Sequence, residues 1–125
     1  MNLTENQKIW LDALRSGKYK QGYNGALHEK CDGADEFCCL GVAAKIFAHG
    51  DVAIQVNDFG VVKYNGQFAT APDYVMEALG LFDACGRPKS ESQFISLSLM
   101  NDNGRTFVEI ADHFEANVKA YTNEK

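Results

Sequence analysis

The seven cysteine and histidine side chains of this sequence have the chemistry to hold a metal or attack a substrate: Cys31, Cys38, Cys39, Cys85, His28, His49 and His113. Three of them follow a His28-x2-Cys31-x6-Cys38 spacing, with Cys39, His49 or Cys85 as a candidate fourth ligand. Structural zinc takes four ligands, usually as two close pairs, and only His28 and Cys31 make such a pair. Cys38 and Cys39 are adjacent, so in a strand they would point to opposite faces. The spacing argues against zinc, and no metal or cofactor is expected. A cysteine nucleophile needs a nearby base and a lowered thiol pKa. No histidine stands in a pattern with a cysteine, although Cys39, at the entry to a helix, would feel the dipole that favours thiolate. The plainest reading of "FCCLGV" (37–42) is packing, since a free cysteine behaves as a small apolar side chain.

A second set of residues suits a small anion. Arg15, Lys18, Tyr19, Gln21 and Tyr23 interleave cations, an amide and ring faces after a helix end, the chemistry that stacks a base and holds a phosphate. Asn101, Asp102 and Arg105 lie in "NDNGRTF", just before a helix start, where backbone N–H groups and the dipole favour negative charge. These eight residues form the expected ligand-binding set; ordinary turns and caps are the competing reading. No Walker or dinucleotide fingerprint is present. "TFVEIADHFEANVK" has the look of the first helix of a helix-turn-helix. No basic recognition helix follows it, and Glu109, Asp112 and Glu115 would repel a phosphate backbone.

Composition narrows the classes. A chain of 125 residues, 46% of them hydrophobic, can bury a core without disulfide staples. Its net charge of −5 argues against long nucleic acid as the partner. The first ten residues, "MNLTENQKIW", lack the apolar stretch of a secretory signal, and no run approaches the roughly 20 apolar residues of a membrane span. Free thiols in a reducing cytosol are therefore expected.

The positioning elements read as follows. Thr4 and Gln7 have capping-box spacing, and Ile9, Trp10, Ala13 and Leu14 form a helical face, giving a helix over 5–16. Short strands are predicted near 26–30 and 36–39, joined by a turn at 31–35. Leu40, Val42, Ala43, Ile46 and Phe47 return to helical spacing. Val52, Ile54 and Val56 alternate, then Val61, Val62 and Tyr64 follow a turn at Asn57–Gly60. Pro72 opens and Gly80 closes another helix. "FISLSLMN" (94–101) alternates as a strand would, with a helical turn as the competing reading. Thr106 and Glu109 make a second capping box ahead of a helix at 107–121. The expected fold is α+β: one domain, with a small, mostly antiparallel sheet and helices packed on one face.

Three ordered blocks, "IWLDALRSGKYKQG", "EFCCLGVAAKI" and "SLMNDNGRTFVEIADHFE", resemble small, largely uncharacterised proteins of tailed phages and prophages. Their shared pattern runs W-x3-LRSG-x-Y-x-Q, FCCLGV, then LND-x-G-x-x-F-x-E-IA, with Met100 here where leucine is usual. The resemblance implies an accessory gene expressed in a host bacterial cytoplasm, and it supplies no catalytic residues. Three functions fit that setting. The first is non-catalytic sequestration of a small nucleotide signal by a host-defence antagonist, with a homo-oligomer as a natural form. The second is a protein-binding inhibitor of a host defence enzyme or nuclease. The third is a small thiol or hydrolytic enzyme.

Overall fold

The computed structural model describes residues 3–89 and 94–123. The chain opens with α1 (Glu5–Arg15), whose start is set by the reciprocal pair predicted from sequence. The Gln7 amide donates to Thr4 Oγ1 and the Thr4 amide donates to Gln7 Oε1. The other end of the Gln7 carboxamide is not idle: Nε2 donates to the Leu79 carbonyl at 2.9 Å. One side chain thus caps α1 and fastens it to the end of α3 (Asp73–Leu79). Trp10, fully buried, donates from Nε1 to the Cys39 carbonyl at 2.9 Å.

Three short strands follow: β1 (Lys20–Gln21), β2 (His28–Cys31) and β3 (Ala34–Phe37). β3 is central, parallel to β1 and antiparallel to β2. The two-residue β1 carried no sequence signal beyond the surrounding turn residues. β4 (Ile54–Val56) and β5 (Val62–Tyr64) form an antiparallel hairpin with Ile54 opposite Tyr64 and Val56 opposite Val62. A bridge between Glu29 and Val61, and a bond from the Lys30 amide to the Gly60 carbonyl at 2.7 Å, continue the first sheet into the second. The sheet order is therefore β1-β3-β2, then β5-β4.

Helices cover the inner face of this sheet. α2 (Cys39–Ile46) buries every residue from Cys39 to Ala44, and sits between α1 and β3. Its first turn lies against the backbone that leads into β2. Gly41 faces the Leu27 backbone, and a Cβ there would lie 1.6 Å from the Leu27 carbonyl oxygen. That same oxygen accepts the Cys38 amide at 3.1 Å. No side chain larger than hydrogen fits at Gly41, so α2 is seated by contact of backbone on backbone.

The remaining elements are α4 (Leu97–Asp102), α5 (Phe107–Ala116) and α6 (Val118–Tyr121). α4 occupies the stretch whose alternation suggested a strand. The helical reading prevails because Ser96 Oγ caps it, accepting the Leu99 amide, and Leu97, Met100 and Asn101 turn inward together. The predicted final helix is divided at Asn117, whose φ of −136° leaves the helical region. Its carboxamide nitrogen donates to the His113 carbonyl at 2.9 Å. Trp10 packs edge-on against Phe114 with ring centres 5.1 Å apart, joining α1 to α5. No described helix is long and apolar enough to cross a membrane.

Substituting Gly41→Ala should lower stability by about 3 kcal/mol or more, because the clash is with backbone that has no alternative position. Gly50→Ala is the control: nothing lies within 4 Å of its Cβ position, so a change within about 0.5 kcal/mol is expected. Urea unfolding midpoints of the two variants test this.

Candidate functional site

The two predicted ligand-binding turns meet in space, and their meeting point is a buried amide. Asn101 is fully buried at the end of α4. Its Oδ1 accepts the Cys39 amide at 3.1 Å and Gln21 Nε2 at 2.9 Å, and its Nδ2 donates to the Gly22 carbonyl at 2.8 Å. Gln21 is as fully engaged. Nε2 also donates to the Arg105 carbonyl at 2.6 Å, and Oε1 accepts the Phe107 amide at 3.0 Å. Cys39 and Phe107 are the first residues of α2 and α5. Each of these helices therefore has an orphan first-turn N–H satisfied by a carboxamide from a distant part of the chain.

This arrangement corrects the reading of "NDNGRTF" as an anion cradle. At the start of α5, Gln21 takes the Phe107 amide and Thr106 Oγ1 takes the Glu109 amide at 3.1 Å. The Glu109 carboxylate accepts the Thr106 amide, a bond that holds its pKa below the usual range. The helix N-terminus is closed by the protein's own groups. Gln21 and Asn101 hold the two turns together, each spending three of its four hydrogen-bonding sites within the protein.

The other six predicted residues separate. Arg15 donates to Asp112 Oδ1 at 2.9 Å and to Glu115 Oε1 at 2.8 Å, so its charge is neutralised by α5. Tyr19 packs edge-on against Phe37 with ring centres 5.3 Å apart and is half-buried. Lys18, Tyr23, Asp102 and Arg105 are exposed. The two buried thiols have pKa values raised by burial, with the Asp102 charge adding a smaller push in the same direction. Asp102 gives α2, which has no acid in its own first turn, a negative neighbour.

Arg105 differs from Arg15 in having no ion pair among the described residues. Its surroundings are also unlike those of the other exposed cations. Phe94, Ile95, Met100, Arg105 and His113 line a cavity of about 220 Å³. Phe94 stands edge-on to His113 with ring centres 4.8 Å apart and stacks near Tyr121. Tyr121 donates its hydroxyl proton to the Ile95 carbonyl at 3.0 Å, so His113 Nε2–H must be the donor in the 2.7 Å contact with Tyr121 Oη. His113 is thus the neutral Nε2–H tautomer, with Nδ1 unprotonated. Burial first, and the Arg105 charge second, lower its pKa. Of these five residues only Arg105 belonged to the predicted set. Phe94, Ile95 and Met100 sit in the stretch whose strand-like alternation concealed that they share one wall with α5.

The thiol and histidine chemistry resolves differently. Cys38 caps α2, its Sγ accepting the Gly41 amide at 3.3 Å, and Cys39 Sγ donates to the Leu97 carbonyl at 3.6 Å. Burial pushes the Cys38 thiol up to about 11 and raises Cys39 well above its ordinary value. The dipole argument for a Cys39 thiolate fails because desolvation outweighs it. Cys31 is raised as well, by desolvation and then by Glu36, Glu29 and Asp32. His28 has both ring nitrogens engaged. Nε2–H donates to Asp35 Oδ1 at 2.8 Å, and Nδ1 accepts the Tyr64 hydroxyl proton at 2.8 Å. Burial keeps it neutral by lowering its pKa, and the ring stacks on Phe37 at 4.1 Å. It offers no lone pair to a metal. Among the described residues no three His, Cys, Asp or Glu side chains converge.

Two outcomes follow. Asn101→Ala would take this partner from the Cys39 amide and the Gly22 carbonyl, and would remove one of the two acceptors of Gln21 Nε2. It should cost about 3 kcal/mol or more, against under about 0.5 kcal/mol for Arg105→Ala, as read from denaturant midpoints. The second concerns pH. His28 and His113 are held neutral in the fold, so the unfolded chain takes up their protons first, at about pH 6.5. Their contribution to stability is present above that value and is lost as pH falls below it toward the lowered native pKa values. Melting temperature should be flat from about pH 8 to pH 7 and fall between about pH 6.5 and pH 5, before most carboxylates titrate. A flat profile down to about pH 5 would contradict the assignment of neutral imidazoles.

No curated protein and no solved structure matches this chain. A family described as a domain of unknown function, DUF8296, matches residues 1–118. With the match running from the first helix into α6, the chain belongs to the DUF8296 family.

Proposed function

We propose that the protein is a phage accessory protein that antagonises host defence by binding and sequestering a small nucleotide signal without converting it, in the host bacterial cytoplasm. The observation that carries this reading is Arg105. It is an exposed guanidinium with no ion pair among the described residues, and it borders a cavity walled by the Phe94 ring, Ile95, Met100 and His113. A guanidinium neutralises phosphate oxygens in a bidentate manner, and an aromatic wall offers a face or edge to a base. The cavity is below the roughly 300 Å³ at which drug-sized ligands begin. It admits one ring-sized group, with the remainder of a larger nucleotide lying along the surface toward Asn103 and Asp102.

Binding without turnover is favoured because the groups that could act chemically are withdrawn. The Cys38 and Cys39 thiols are buried and protonated. His28 is held between Tyr64 and Asp35. His113 donates its one N–H inward to Tyr121. The setting in a phage rests on the resemblance of the three sequence blocks. Of the originally expected residues, Arg105 keeps its ligand role and Asp102, Lys18 and Tyr23 remain available at the surface. Arg15, Tyr19, Gln21 and Asn101 serve the fold.

Thermal unfolding with a panel of cyclic dinucleotides and cyclic ADP-ribose isomers tests the proposal. A ligand at 100 times its Kd adds about 2.7 kcal/mol, a rise on the order of 10 °C for a domain of this size. The ligand should return intact after denaturation. Arg105→Ala should abolish the shift while its own melting temperature stays within about 2 °C of the parent, and Arg15→Ala should keep it. No shift across the panel, with near-stoichiometric capture of one host protein instead, would replace this reading by a protein-binding inhibitor. Recovery of an altered ligand would replace it by an enzyme.

A further inference from the structure

The sheet has one edge that the fold leaves open. β1, at one end, lies against the turn before α5, where Gln21 bonds Asn101 and the Arg105 carbonyl. β4, at the other end, has no such cover among the described residues. The Asn57 amide donates to the Val61 carbonyl at 3.0 Å and the Asn65 amide to the Ala53 carbonyl at 2.7 Å. Residues 53, 55 and 57 therefore face β5, and by the alternation of an antiparallel ladder the N–H and C=O groups of Ile54 and Val56 point away from it. Their side chains lie on the same face as their partners Tyr64 and Val62, which are buried at 1% exposure. Ile54 and Val56 themselves are 51% and 50% exposed. The apolar face of the sheet thus runs out beyond the helices that cover it.

Proteins protect such edges with lysine, proline, a bulge or an inward charge. The run from Ala53 to Asn57 has neither a charge nor a proline. We propose that this edge pairs with β4 of a second copy, antiparallel about a two-fold axis at Gln55. The arrangement is self-complementary. Ile54 stands opposite Val56 of the partner subunit, and the four outward backbone groups of each copy find partners across the axis. Gln55, which is uncharged, meets its own mate on the axis. Lys63, opposite Gln55 in the hairpin, lies three strand spacings from its mate, about 14 Å. The axis is normal to the sheet, so both helical layers fall on one side and the two Ile54–Val56 pairs form one apolar strip between them. An isologous pair of this kind is the commonest oligomer. The inference is independent of the Arg105 cavity.

Sedimentation of the purified protein from high to low micromolar concentration tests it, with amide hydrogen exchange at residues 54 and 56. A reversible dimer is expected, and exchange at both amides should slow as concentration rises. Val56→Pro removes an outward N–H that the monomer does not use, and Ile54→Lys puts a charge on the strip. Each should give a folded monomer with an unchanged melting temperature at low concentration. A wild-type monomer at high micromolar concentration would overturn the proposal. So would a dimer in which exchange at 54 and 56 is independent of concentration, whatever the variants do.

Discussion

The Asn101 carboxamide is the constraint on which the rest of the structure depends. With three hydrogen bonds it joins β1, the first turn of α2 and the end of α4. It does so with no exposure to water, where leaving any one of those groups unpaired is expensive. Gln21 extends the join to the first turn of α5. The three ordered sequence blocks, "IWLDALRSGKYKQG", "EFCCLGVAAKI" and "SLMNDNGRTFVEIADHFE", are the parts this network connects. The Trp10 indole reaches the Cys39 carbonyl, Gln21 reaches Asn101, and Cys38 and Gly41 seat α2 on the Leu27 backbone. Those blocks describe how the helices are fastened to the sheet. Met100, Arg105 and His113, also in the third block, line the cavity instead.

That separation of tasks explains why the site is small. Two helix N-termini, each a natural anion site, are closed by the Asn101 and Gln21 carboxamides, the Cys38 sulfur and the Thr106 hydroxyl. Arg15 is neutralised by two carboxylates. The proposed ligand wall lies where α4 and α5 meet, with Arg105 at its rim and His113 at its side. The neutrality of His113 matters there. A protonated imidazole beside Arg105 would add to the positive field, so ligand binding and pH should be linked through the same pair of side chains.

What was legible in the sequence was what depends on neighbours a few residues away. Thr4 with Gln7, and Thr106 with Glu109, cap helices as their spacing predicts. Gly80 stops α3 in the left-handed region at φ 69°, and the turn at Asn57–Gly60 joins β4 to β5. The α+β class follows from these. What was hidden depends on partners far along the chain. Gln21 and Asn101 are 80 residues apart, and nothing in either turn says that each will use up the other. Phe94–Asn101 alternates like a strand, yet the side chains that must be buried are Leu97, Met100 and Asn101, at helical spacing. Cys39 has the local geometry of an activated thiol, and only the packing around it shows that burial prevails.

The central claim is that Arg105 and its cavity bind the ligand while Gln21 and Asn101 hold the fold. Amide and side-chain resonances followed by NMR during titration with a nucleotide that stabilises the protein test it most directly. The account predicts shifts at Ile95, Arg105 and His113, with the Gln21 and Asn101 carboxamide resonances unmoved. Shifts centred on residues 18–23 and on those two carboxamides, with Arg105 and His113 unchanged, would contradict it.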